Sequence, residues 1–125
     1  MNEQRILQLA DAVERIQHVT FDMSVWCRIS RPCGMSLCMG GIAAALWPEE
    51  LELVRIESDR TGSVVRYSLQ SVKSQSGGCE AMAEVLGITI ESSRDIFSNI
   101  EDERPLDRAY HAARLRQFVA QRSTK

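Results

Sequence analysis

The sequence predicts a single α+β domain spanning residues 1–125, mostly helical, with about five helices and one β-hairpin. Three observations lead there. Apolar residues recur at helical spacing at both ends of the chain, in residues 3–17 and again beyond residue 79. In the middle, two β-rich runs, "LELVRIES" and "SVVRYSLQ", flank the turn "DRTG". The length of 125 residues, with 44% hydrophobic and 26% charged side chains, is that of one ordinary globular domain able to build a core without a metal or disulfide framework.

The first helix is expected over 3–17, where Ile6, Leu9, Ala10, Val13 and Ile16 form one apolar face and Asn2 is placed to cap it. "VTFDMSVW", residues 19–26, alternates Phe21, Met23 and Val25 and reads as an extended segment or short edge strand. A central helix is expected over 36–46, rich in small unbranched residues and stopped by Pro48. The hairpin follows over 51–70, then the polar loop "SVKSQSGG". Met82, Val85 and Leu86 define a helix over 79–86 that ends at Gly87, and Thr89 is placed to cap another over 90–98. Pro105 suits the first turn of a basic last helix over 105–120, with Leu106, Ala109, Ala113, Leu115, Phe118 and Val119 as its apolar side.

Several function classes are disfavoured at once. The N-terminus is polar and mixed in charge, without the basic and apolar regions of a signal peptide. The apolar run "IAAALW" at 42–47 is far short of the roughly 20 residues that cross a bilayer. A soluble, cytoplasmic protein without a membrane role is therefore expected, its four cysteines (Cys27, Cys33, Cys38, Cys79) kept as thiols. The net charge of -2 hides an asymmetry, because residues 1–103 carry 9 basic against 16 acidic side chains and residues 104–125 carry 6 against 1. An acidic body argues against a large nucleic-acid surface, so direct nucleic-acid binding is not expected.

The stretch most like a chemical site is "RPCGMSLCMGGIAAALWPEE", residues 31–50. Cys33 and Cys38 could ligate zinc with Cys27 or Cys79, but their spacing is not that of paired close cysteines. A cysteine at a helix N-terminus could be a nucleophile, yet the chain has only His18 and His111 as bases, each more simply a surface or partly buried side chain. The favoured reading is packing. Cys33, Gly34, Cys38 and Gly41 are structural, with the small residues admitting a close neighbour and Cys38 acting as a small buried hydrophobe. Gly34 is assigned a backbone role after Pro32. No catalytic residue, metal or cofactor is assigned.

Residues 79–97 have the outline of a helix-turn-helix, with Ala83, Gly87, Ile88 and Ile96 in suitable places. Against it, Ser93 stands where an apolar residue is usual, and Glu91, Arg94 and Asp95 suit phosphates and base edges poorly.

Four segments, "LADAVE" (9–14), "FDMSVW" (21–26), "CGMSLCMGGIA" (33–43) and "AMAEVLGITIESSRDIF" (81–97), together resemble a family of small uncharacterised phage and bacterial proteins. That family's pattern runs FDMxxW, CGTxxCxAGxA and LGLtxxxAxxLF. Met35 stands here for its threonine and Gly40 for its alanine. The resemblance implies a fold and a mobile-element setting but no reaction. The expected function is binding of a partner protein, with host takeover or anti-CRISPR-like inhibition of a defence complex as its mobile-element form. A nucleic-acid-handling machine of the host is a suitable target for an acidic body. Candidate contact residues are Arg60 in the hairpin and Arg108, Arg114 and Arg116 in the last helix, and a homodimer stays open. The alternatives are a helix-turn-helix regulator and a small cysteine hydrolase or zinc protein.

Overall fold

The computed structural model describes residues 1–16, 20–21, 26–30, 34–58, 60–97 and 107–123. Five helices and a sheet make one α+β domain, with elements α1 (Glu3–Arg15), β1 (Thr20–Phe21), β2 (Cys27–Ser30), β3 (Gly34–Leu37), α2 (Met39–Leu46), β4 (Leu51–Ser58), β5 (Val64–Ser71), α3 (Gly78–Leu86), α4 (Ile90–Phe97) and α5 (Arg108–Ser123). The strands form one sheet in the order β1-β3-β2-β5-β4. All pairings are antiparallel except β1 with β3.

The hairpin falls where the β-rich runs place it, closing at Gly62 with φ +71°. It is not an isolated ribbon. Cys27 pairs with Tyr67 and Ile29 with Val65, so β2 extends the hairpin, and β3 and β1 continue beyond it. Alternation gives the sheet two unlike faces. Phe21, Leu37, Cys27, Leu69 and Leu51 are buried on one side, where α2 packs on β3, β4 and β5 and α3 packs on β5. The opposite side carries Thr20, Glu52, Val54 and Arg66 exposed, Ser68 and Gln70 half-buried, and the buried Ser36.

The expected central helix over 36–46 is corrected at its start. Residues 34–37 are strand β3, Cys38 is the N-cap, and the helix runs from Met39. Met35 and Leu37 alternate with Gly34 and Ser36, a strand pattern too short to stand out beside the small-residue run. Gly34 thus opens a strand, opposite Ser30, rather than entering a helix directly.

Helices α1 and α3 follow their apolar spacing closely. Asn2 caps α1 by accepting from Arg5 N at 3.1 Å, and Ile6, Leu9, Ala10 and Val13 are buried. Gly87 ends α3 in the left-handed region at φ 66°. Thr89 Oγ1 then accepts from Ser92 N at 3.1 Å at the start of α4. Helix α5 is described from Arg108, and the expected first turn at Pro105 and Leu106 lies outside the described residues. Its apolar stripe differs from expectation, because Ala112, Leu115 and Val119 are buried while Ala109 and Ala113 are exposed. It packs mainly on α1.

Candidate functional site

Around Cys38 the chain turns from strand into helix. The Cys38 backbone is extended (φ -89°, ψ -175°), which aims its side chain back over the first turn of α2. Its Sγ accepts from Gly40 N at 3.2 Å, the part that serine or aspartate usually takes at an N-cap. The thiol is 2% exposed, and desolvation by burial pushes its pKa up to about 12, outweighing the Gly41 and Gly40 N–H groups that favour the thiolate. A nucleophile needs the opposite balance. The geometry makes Cys38 a buried cap, and that favours packing over the hydrolase reading.

The two glycines after the cap make room for Trp26. A Cβ on Gly40 would run into the six-membered ring of the Trp26 indole. One on Gly41 would run into the Trp26 carbonyl oxygen and come within 2.7 Å of Leu37 Cδ2. A Cβ on Gly78, at the start of α3, would lie 3.4 Å from Cζ2 of the same ring. Trp26 therefore sits between the N-terminal ends of α2 and α3. The sequence reading identified the need for a close neighbour but not which residue it was.

The other described cysteines are Cys27 and Cys79. Cys27 is buried on the sheet, where desolvation raises its pKa, and Cys79 is half-buried on α3. Among the described residues no three His, Cys, Asp or Glu side chains lie together as a metal set. Cys33 and His18 lie outside the described residues.

His111 differs from its expected surface or partly buried position, being 1% exposed. Its ring lies 5.7 Å from that of Phe21 and 5.0 Å from that of Tyr110, centroid to centroid. Arg114 Nη1 stands 3.3 Å from its Nδ1. Arginine can only donate, so as a hydrogen bond this contact requires Nδ1 to accept. The histidine belongs to the seam between α5 and the sheet edge.

Three arginines of the last helix reach neighbouring elements. Arg116 bridges Glu14 and Asp11 of α1, the latter at 2.7 Å. Its hydrogen bond holds the Glu14 carboxyl below its ordinary pKa of 4.5, and the same contacts raise the pKa of Arg116. Arg108 donates to the carbonyl of Ile16, and Arg114 donates to the carbonyl of Asp95 at 2.7 Å. Three of the four candidate contact arginines thus hold α5 to α1 and α4. Arg60 is exposed at the tip of the hairpin.

Within the helical hairpin, Ser93 has a definite use. It is fully buried and its Oγ donates to the Cys79 carbonyl at 2.6 Å, tying α4 to the first turn of α3. Glu91, Arg94 and Asp95 are exposed on α4, a mixed surface rather than a basic one.

Surface clefts are present at two places among the described residues. One of about 240 Å³ lies between α4 and α5, lined by Ser92, Asp95, Arg114 and Phe118 among others. A second of about 540 Å³ lies beside Trp47, between Arg5, Glu49, Glu50 and Lys73. There the cation position is already filled, since Arg5 sits 5.4 Å from the Trp47 ring centroid and pairs with Glu50 at 2.5 Å. No described helix is long and apolar enough to cross a membrane. Compared with known proteins, the chain matches no family model, no curated protein and no solved structure.

Proposed function

We propose that the protein acts by binding a partner protein through its sheet and hairpin. The observation that carries this reading is the unlike pair of sheet faces: one is covered by helices, while the other presents Thr20, Glu52, Val54, Arg66, Ser68 and Gln70 exposed or half-buried. That mixture of polar groups with isolated apolar ones is compatible with a non-obligate interface, which is about as apolar as the rest of a protein surface. The hairpin extends the surface and carries Arg60 at its tip. The resemblance to a phage and bacterial family supports a mobile-element setting, in which the partner is a host nucleic-acid-handling or defence complex and the protein is its inhibitor. Arg60 keeps its proposed contact role. Arg108, Arg114 and Arg116 act in this reading by positioning α5.

The test is affinity capture from bacterial lysate with mass spectrometry, comparing the native chain with Arg60→Glu and Ser68→Arg, each checked by thermal melt. A reproducible protein partner lost with these variants while their melts stay native is the expected result. Sequence-specific DNA affinity at physiological salt, without such a partner, overturns the proposal in favour of a regulator using α3 and α4.

A further inference from the structure

Among the described strands β4 is one edge of the sheet, and the outward direction of its backbone follows from its pairing. Antiparallel ladders alternate between pairs that exchange N–H···O bonds and pairs that do not. Val72 N donates to Glu50 O at 2.9 Å, so the bonded pairs that follow in register are Glu52 with Gln70 and Val54 with Ser68. Leu51, Leu53 and Arg55 consequently turn their N–H and C=O groups away from β5. The Leu51 N–H is already taken by the Trp47 carbonyl at 3.0 Å. Among the described residues, Leu53 and Arg55 are left presenting donors and acceptors at the edge, with Val54 37% and Ile56 61% exposed beside them. Natural edges are usually shielded against pairing, and the bulge between Arg55 and Glu57 shortens this one without covering Leu53–Arg55.

We infer that a second copy of this chain pairs antiparallel with β4 at this edge, with the two-fold axis at Val54, joining the two sheets into one. Hydrogen-bond phase and side-chain chemistry select the register. Centring on Val54 sets Leu53 opposite Arg55 of the second copy, and Arg55 opposite its Leu53. Both are outward-facing positions, so four hydrogen bonds form. The two Val54 side chains meet across the non-bonded site, where facing Cα atoms are about 4.5 Å apart. Glu52 faces Ile56 of the second copy, so no like charges stand directly opposite. Centring on Leu53 would use Leu51, whose N–H is occupied, and would face Val54 with Glu52. Centring on Arg55 would set two guanidinium groups against each other, a destabilising arrangement. The segment is thus complementary to itself in one register, which is why the occupant is assigned as a second copy. The short ladder makes the dimer weak and concentration-dependent.

The experiment is disulfide trapping of the full chain with Val54→Cys, with Glu52→Cys as control. Position 54 meets its own copy at a spacing a disulfide can bridge, whereas position 52 lies about 14 Å along the strand from its copy, beyond disulfide reach. Under mild oxidation, peptide mapping should find the 54–54 linkage in Val54→Cys and no 52–52 linkage, separately from the native cysteines. Sedimentation velocity over a concentration series should show a dimer that Val54→Lys abolishes with an unchanged melt. Equal trapping at 52 and 54, or a wild-type chain monomeric up to millimolar concentration, overturns the inference. Trapping at 54 only to a protein from lysate overturns it too, giving the edge to another occupant.

Discussion

Cys38 shows how a single side chain can look reactive in sequence and be structural in the fold. Its thiol caps α2, so Cys38→Ala should cost about 1 kcal/mol in urea unfolding, the usual loss when a cap is removed, whereas Cys38→Ser should lose less because its hydroxyl can accept the same N–H. The raised pKa has a definite sign: the neutral thiol is favoured in the folded state, so its contribution is fully present below the ordinary value of 9.0 and is lost as pH rises from there towards about 12. Stability should therefore decline above pH 9, and Cys38→Ala should flatten that decline in denaturation curves measured across the range. The neighbouring glycines respond to added volume instead. Gly40→Ala and Gly41→Ala should each cost about 1–3 kcal/mol by overpacking. Combining Gly40→Ala with Trp26→Ala should relieve the Gly40 penalty in a double-mutant cycle, since the clash is with the indole. Trp26→Ala should not relieve Gly41→Ala, whose clash is with a backbone oxygen present in any residue.

Helix α5 owes its position to both apolar burial and charge. Ala112, Leu115 and Val119 place its stripe in the core, while Arg116 reaches Asp11 and Glu14 on α1. Arg116→Glu should lower the melting temperature by setting like charges together, and Glu14→Arg in the same chain should restore part of the loss. The Glu14 carboxyl is held below its ordinary pKa, so its contribution is present above pH 4.5 and disappears as pH falls below that value. Because the pair is exposed, the acid effect should shrink with added salt. At the α3–α4 junction, Gly87→Ala should cost about 1–2 kcal/mol for forcing a side chain into the left-handed region.

At the scale of the whole molecule, one continuous core joins the layers. It includes Leu9 and Val13 of α1, Ile42 of α2, Leu69 of β5, Leu86 of α3, Phe97 of α4 and Leu115 of α5. No described helix has a core of its own, so unfolding should be a single cooperative step. Tryptophan fluorescence, reporting on Trp26 and Trp47, should follow the same urea transition as far-ultraviolet circular dichroism. Two separate transitions would show instead that the hairpin or α5 melts as its own unit.

Local chemistry was enough to read much of this protein. Periodicity located the amphipathic α1, the Gly87 stop and the Thr89 cap because each depends on neighbours within one or two turns of chain. The hairpin was legible for the same reason, its strands being adjacent in sequence and joined by a glycine turn. What only the tertiary structure decided involves partners far apart in the chain. "CRIS" and "GMSL" are four-residue strands whose short patterns say little, and they become strands because β5 offers β2 a bonded edge and β2 then offers one to β3. Cys38 reads as a site or a packing residue until Trp26 is seen against Gly40 and Gly41, which turns the pair of glycines from a flexible run into a socket. Nothing in the spacing of the basic tail points to Asp11, more than 100 residues earlier in the chain, on which Arg116 is placed. Spacing along a chain reports what lies within a turn or a hairpin, whereas burial and ion pairing depend on which distant surfaces fold together, and these decide what Cys38 and Arg116 do.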